Sequence, residues 1–435
     1  MVFDDFGQAW SVLLWSTFAV ALVMGAVVNK TNFCTMGAVS DWVNMGDTGR
    51  FRAWLLAIAV AMIGVVVLES GGLVNVTDSF PPYRSSTFIW FENLFGGILF
   101  GIGMTLASGC GQKTLIRVGG GNLKSVVVLA IIAVIAYFMV YPFPGTDKTL
   151  MSELFLPWVG DLRVNLPRNQ DLGSLIAPEN AAMVRGVLGA AIALALLAFI
   201  FKSAEFRRSF DNILGGLVVG LAVVAAWYVS GSLFVTNSFD EQTSLSQYVV
   251  NWDLNAGMGD MGMGMDDGDA SAEAAVKPAE ARSLGTQSYT FINPMGQTLR
   301  YAANGFQTPF LTFGVMALAG VILGSMLWAL MNRNFRLEWF ASARDMANHV
   351  AGAVLMGFGG VLALGCTIGQ GVTGVSTLAL GSFLAFAGII WGSAMTMKVQ
   401  YYRMLHEDAS FGSALVTSLV DMRLLPKGVR KLEAL

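Results

Sequence analysis

The chain has 435 residues, 55% of them hydrophobic and only 13% charged, with a net charge of −3 and a mean hydropathy of +0.61. Soluble domains carry about 25% charged residues, so this composition excludes a set of soluble domains and requires an integral membrane protein. Three cysteines are too few for a disulfide framework, and two histidines argue against a His-rich zinc or copper site, so no metal site is expected.

The opening residues MVFDDFGQAW are acidic where a cleavable signal would be basic, and the apolar run behind them is long enough to span. The first helix is therefore expected to stay. Taking roughly 20 apolar residues per crossing, spans are predicted at 10–28, 53–74, 88–108, 123–141, 183–201, 212–235, 308–331, 349–365 and 378–397. The expected fold class is an all-α polytopic membrane protein of about nine transmembrane helices with short re-entrant half-helices. Four parts follow along the chain: a first membrane part at 1–235, an extracytoplasmic insertion at 236–307, a second membrane part at 308–397 and a cytoplasmic amphipathic tail at 398–435.

Basic residues collect in short cytoplasmic loops. Arg50 and Arg52, then Lys113, Arg117 and Lys124, then Lys202, Arg207 and Arg208, then Arg333, Arg336 and Arg344, and finally Arg423, Lys427, Arg430 and Lys431 fall at alternate ends of the predicted spans. All come out inside if the N-terminus is outside and the C-terminus cytoplasmic, which agrees with nine crossings. The same orientation puts 236–307 outside, where nine acids face three bases. Its middle, NAGMGDMGMGMDDGDASAEAAVKPAEA, is low-complexity and reads as a partly disordered linker, with Cu(I) binding through the methionines as a second reading.

Internal repeats are visible. NLFGGILFGIGMTLASGCGQ from Asn93 and NILGGLVVGLAVVAAWYVSG from Asn212 share Asn93/Asn212, Gly96/Gly215, Gly97/Gly216 and Gly101/Gly220 at identical spacing. A copy from Asn348 matches after a one-residue slip, with Gly357, Gly359, Gly365 and Cys366 answering Gly101, Gly103, Gly109 and Cys110. Val229 stands at the cysteine position of the second copy. The first copy runs inward and the other two outward, so the repeats are expected to be inverted. Gly25 lies nine residues before Cys34, as Gly101 does before Cys110.

Each cysteine follows an apolar helix and precedes a break rich in Gly, Thr or Ser, in NFCTMGAVSD, ASGCGQKTLIRVGGGNLKS and LGCTIGQGVTG. Non-helical backbone at membrane depth is tolerated only where protein or a water-filled path satisfies it, so these segments are expected to line a pathway. The free N–H groups of a helix restarting after a break hold an anion without a full buried charge. Lys113 and Lys30 add positive charge near two of the motifs. A thiol in apolar surroundings stays S–H, a weak donor suited to a polarisable sulfur atom, whereas a thiolate would repel an arriving anion. Three thiols along a route could pass a soft anion from one to the next, each holding it loosely. Thr35 and Thr367 directly follow two of the cysteines. Gln112 and Gln370 either orient substrate or cap broken backbone, and Lys113 is either a substrate ligand or an interfacial lysine. His349 is expected at the inner end of a helix. Counting a full span before Cys110 puts it near the inner surface, where a relay needs it deeper.

On the segments Phe33–Asp41, Ser108–Ser125 and Gly365–Ser376, the chain resembles the YeeE/YedE family of sulfur transport membrane proteins, which includes bacterial thiosulfate uptake proteins. The resemblance implies an inner-membrane fold, hourglass-like in outline, with half-helices meeting near the centre. It implies a relay of Cys34, Cys110 and Cys366 that passes thiosulfate inward through thiol hydrogen bonds. It also implies a small TusA-like sulfur-carrier protein as cytoplasmic partner. The insertion at 236–307 and the long loop at 142–182 are where the chain departs from the family pattern.

The expected function is thus uptake of a sulfur-containing anion, with thiosulfate the best single substrate, and not an enzyme activity. A membrane thiol oxidoreductase is the alternative from another class. It usually wants a close C-x-x-C pair, and these thiols are 76 and 256 residues apart. Transporters of another sulfur or selenium species, or of a soft metal, are further alternatives; for the metal, the spans offer no paired Cys or His ligands. No cofactor or nucleotide motif is apparent, so an ion gradient or consumption of the substrate inside would have to drive transport.

Overall fold

The computed structural model describes residues 1–237, 240–252, 276–406 and 408–433, so the middle of the Met/Gly-rich tract and any copper site there lie outside the described residues. The chain is all-α and polytopic, with nine helices among the described residues long and apolar enough to cross a membrane. They are built on α1 (Phe6–Thr31), α3 (Gly49–Ser70), α4 (Trp90–Leu106), α6 (Leu123–Val140), α7 (Ala181–Phe201), α8 (Phe210–Gly231), α10 (Phe313–Met331), α11 (Ala343–Leu362) and α12 (Leu380–Leu405), and the spans of α1, α4 and α11 run on through a break to Met45, Gly119 and Gly374. Each falls on one of the nine predicted spans, because a long uncharged apolar run has no other stable home for its backbone hydrogen bonds. Shorter helices α2 (Thr35–Ser40), α5 (Gly111–Gly119), α9 (Ile292–Ala303) and α13 (Phe411–Asp421) complete the bundle.

Glycine lets the helices meet backbone to backbone. α1 and α10 run parallel, and a Cβ on Gly25 would stand 2.3 Å from the Val321 carbonyl oxygen, one on Gly324 only 1.9 Å from that of Leu22. α4 pairs in the same way with α12, where a Cβ on Gly101 would lie 2.2 Å from the Ile389 carbonyl oxygen. α4 and α11 run antiparallel, with Gly96 against Gly359 and Gly103 against Gly352. The first and third sequence copies are therefore inverted in space. Small residues at these contacts supply the close packing that membrane helices need in the absence of a hydrophobic driving force between them.

Helix ends sort into a basic and an opposite face. Lys30 pairs with Asp211 at 3.6 Å, Lys124 pairs with Asp345 at 2.9 Å, and the Arg52 guanidinium donates to the Phe199 and Ile200 carbonyls. These contacts put the C-terminal ends of α1 and α7 together with the N-terminal ends of α3, α6, α8 and α11. On the opposite face, buried Arg84 pairs with Glu69 and Arg163 with Glu92. Met1 also lies there, its ammonium donating to the Ser232 carbonyl beyond the end of α8.

The stretch after residue 285, read from sequence as part of the insertion, returns to the interior. Gln287 to Ile292 are all buried, and α9 lays Gly296 against the backbone of Ala136 and Tyr137 in α6. The non-helical strip before α9 is tied by side chains: Ser230 Oγ donates to the Gln287 carbonyl, Ser288 Oγ to Val223, Thr373 Oγ1 to Tyr289, and the Tyr289 hydroxyl to Thr17. Such satisfaction is what lets irregular backbone sit inside a bundle. α12 runs on past the predicted end at 397, and α13 folds back on it, with the Tyr402 hydroxyl donating to Asp421.

Candidate functional site

Three long helices, α1, α4 and α11, stop in the same way. The turn passes through a left-handed residue, Asn32 (φ 50°), Ser108 (φ 58°) or Leu364 (φ 59°), and two residues later a cysteine in extended conformation caps the next helix. Gly109 N–H donates to the Met104 carbonyl and Gly365 N–H to that of Gly360, the six-residue closure of a Schellman motif. Cys34 thus precedes α2, Cys110 precedes α5, and Cys366 precedes a wide-turn π-helical segment, Thr367–Gly374. The second copy has no such break, and α8 runs unbroken through Val229.

All three cysteines are free and buried, Cys110 and Cys366 completely and Cys34 to 6% exposure. A Cβ on Gly111 would stand 3.8 Å from Cys366 Cβ, so the Cys110 and Cys366 breaks meet. The Cys110 thiol lies within electrostatic range of both Cys34 and Cys366 and faces the Thr367 hydroxyl. α4 has only 17 residues, about 25 Å of helix, and the turn at Ser108 starts α5 at the level of Cys366. Cys110 is fully enclosed by protein there, while Ser108 and Lys113 on either side of it line a cavity on the basic face.

Most of the polar residues read from sequence gather at these breaks. Thr35, Gln112, Thr367 and Gln370 are each no more than 2% exposed. The Thr35 hydroxyl, both side-chain atoms of Gln112 and Oε1 of Gln370 have no hydrogen-bond partner, and the Thr367 hydroxyl faces only the Cys110 thiol. Buried polar groups are nearly always partnered, so this concentration marks a place built to hold something polar. Gln370 divides its roles, since its Nε2 donates to the Ala363 carbonyl at the end of α11 while Oε1 stays unused. The Cys34 sulfur accepts the Gly37 N–H at 3.5 Å.

Lys113 is half-buried beside the Cys34 break, where its Nζ donates to Asn32 Oδ1 at 2.8 Å. It lines a cavity of about 440 Å³ on the basic face with Arg117, Lys124 and Arg336 against Glu338 and Asp345. His349, buried to 6% exposure, also lines this cavity, and its Nδ1 lies 3.0 Å from Asp345 Oδ1. Sequence reading took Arg50 for an ordinary loop cation. It sits over Gly37 beside Cys34 and pairs with Asp41 at 3.0 Å. Thr290 was missed entirely, because it lies in the stretch taken for an insertion; its hydroxyl stands against Gly365 and Gly369 on either side of Cys366.

Comparison with known proteins bears on this arrangement. A family profile described as Sulphur transport matches residues 30–257 and 270–395. The chain is 24% identical over 396 residues to a protein of Escherichia coli strain K12 named thiosulfate transporter TsuA, covering 90% of this chain and 96% of that one. It is also 24% identical over 387 residues to a thiosulfate transporter TsuA of Spirochaeta thermophila, covering 88% of this chain and 97% of that one. With the family profile spanning well over half of its length, including all three cysteine breaks, the chain belongs to the sulphur transport family of membrane proteins.

Proposed function

We propose that this chain takes up thiosulfate across the bacterial inner membrane, handing it from Cys366 to Cys110 to Cys34. The observation that carries this reading is the set of three buried thiols, each opening a helix two residues after a left-handed turn, with Cys110 in electrostatic range of the other two. A neutral S–H is a weak donor that matches the terminal sulfur of thiosulfate. Weak holding at several points suits conduction, because the anion must leave each site as readily as it enters. The free N–H groups that open α5 and Thr367–Gly374 add partial positive charge without trapping the anion as a buried lysine would. Thr35, Gln112, Thr367 and Gln370 supply the remaining polar contacts along the path.

The basic face is cytoplasmic in this reading, with the N-terminus outside, the two membrane parts joined through the external insertion, and the tail from residue 398 inside. The cavity lined by Lys113, Arg117 and Arg336 is then the exit, and a TusA-like sulfur carrier collects the product there. Growth of a strain with no sulfate or thiosulfate uptake of its own tests the reading. On thiosulfate the wild-type chain should restore growth and C34A, C110A and C366A should each abolish it. Restoration by all three variants would overturn the relay, and restoration on sulfate alone would reassign the substrate.

A further inference from the structure

Three buried donors on the far side of Cys366 lack partners. The Tyr83 hydroxyl, the Trp227 indole N–H and the Thr290 hydroxyl belong to residues 2%, 0% and 7% exposed, and none makes a hydrogen bond. They come from a loop, a spanning helix and the strip before α9. The Tyr83 and Trp227 rings stand edge to face at 6.4 Å, Tyr83 is within electrostatic range of Cys366, and Thr290 flanks Cys366 through Gly365 and Gly369. Burial pushes the Tyr83 phenol well above its ordinary value, so it is present as a donor. A cavity of about 520 Å³ opens on the same side, lined by Ser230, Gly231 and Thr286, and Ser230 lies one helical turn beyond Trp227. Orphaned buried donors are costly, and Thr290 beside the Cys366 break, with Tyr83 and the Trp227 it touches, leaves three without an acceptor from the protein.

We propose that Tyr83, Trp227 and Thr290 form an anion subsite between this outer cavity and Cys366, which grips the sulfonate oxygens of the substrate while its terminal sulfur faces the thiol. The inference rests on the transport reading for its substrate. O–H and N–H groups are strong donors matched to hard oxygen acceptors, whereas the S–H of Cys366 is a weak donor matched to sulfur, so each end of the anion meets its own chemistry. The subsite carries no net charge of its own. The nearby Arg84 is neutralised by a two-pronged ion pair with Glu69 and donates its Nε–H to the Thr377 carbonyl. Sulfate presents oxygens of the same kind without the terminal sulfur. It should bind here and compete, but it should not be handed on.

Thiosulfate uptake by full-length protein in proteoliposomes tests this with Y83F and W227F, each of which removes a donor and keeps an aromatic ring, and with the near-isosteric T290V. Loss of one buried hydrogen bond to an anion should raise KM about tenfold, with Vmax little changed and sulfate inhibition weakened in parallel; C366A should instead lower Vmax. Unchanged KM and unchanged sulfate inhibition in all three donor variants would overturn the subsite. If the wild-type protein does not transport thiosulfate, the transport reading fails, and calorimetric titration with sulfate decides the subsite alone. Binding weakened about tenfold in Y83F would keep it, and no binding, or equal binding, would overturn it.

Discussion

Gln112 is 1% exposed with neither end of its amide partnered, one residue before the lysine that reaches Asn32. Such a side chain costs stability, since an unsatisfied buried polar group loses about 1–3 kcal/mol of solvation that nothing returns. Gln112→Leu should therefore stabilise the protein by about 1–3 kcal/mol, read as a higher melting temperature in detergent, while thiosulfate uptake falls. A variant that transports normally, or one that melts lower, would show that Gln112 serves the fold and not the path. Strain is stored beside it as well. Ser108 and Leu364 adopt a left-handed conformation that costs a side-chain-bearing residue roughly 1–2 kcal/mol. The sequence showed that these cysteines were special, because they are the only three and each adjoins a break. It did not show the left-handed residue two places earlier, since Asn, Ser and Leu share no side-chain chemistry that announces such a turn.

Among the elements, the spanning helices were legible and their partners were not. Apolar runs near the length of a bilayer crossing fix where α1 and α10 lie in the chain, but nothing local says that they pair in parallel through Gly25, Gly320 and Gly324. Gly324→Ala should separate this pair. With Leu22 backbone 1.9 Å from the added carbon, it should cost about 1–3 kcal/mol, measured as a lower melting temperature, whereas Gly412→Ala, which meets nothing within 4 Å, should be neutral. Equal melting of the two variants would contradict the contact. α9 and the strip before it were hidden for a different reason. With 12 residues, α9 is too short to register as a span, and it adjoins an acidic low-complexity tract, so composition averages it into the outside.

For the whole molecule, the alternation of basic loops predicts one orientation, and the fold gathers many of those bases on a single face. A cysteine placed at exposed Gly412 should react with a membrane-impermeant thiol reagent only in inside-out vesicles, and one at exposed Asp147 only in intact spheroplasts. Labelling of both from the same side would overturn the topology; the native thiols, at most 6% exposed, should contribute little. By itself the sequence determined that this is a membrane protein of nine apolar spans with three isolated thiols at helix breaks. Those properties follow from hydrophobic run length, charge placement and residue scarcity, all of which are local. Only the tertiary structure brought the breaks at residues 110 and 366 side by side, turned a presumed external segment into the wall behind Cys366, set Thr290 against Gly365 and Gly369, and stood the Tyr83 ring edge-on to Trp227. Convergence of that kind depends on which glycine faces permit close approach between distant helices, a property of pairs of surfaces that no single stretch of chain contains.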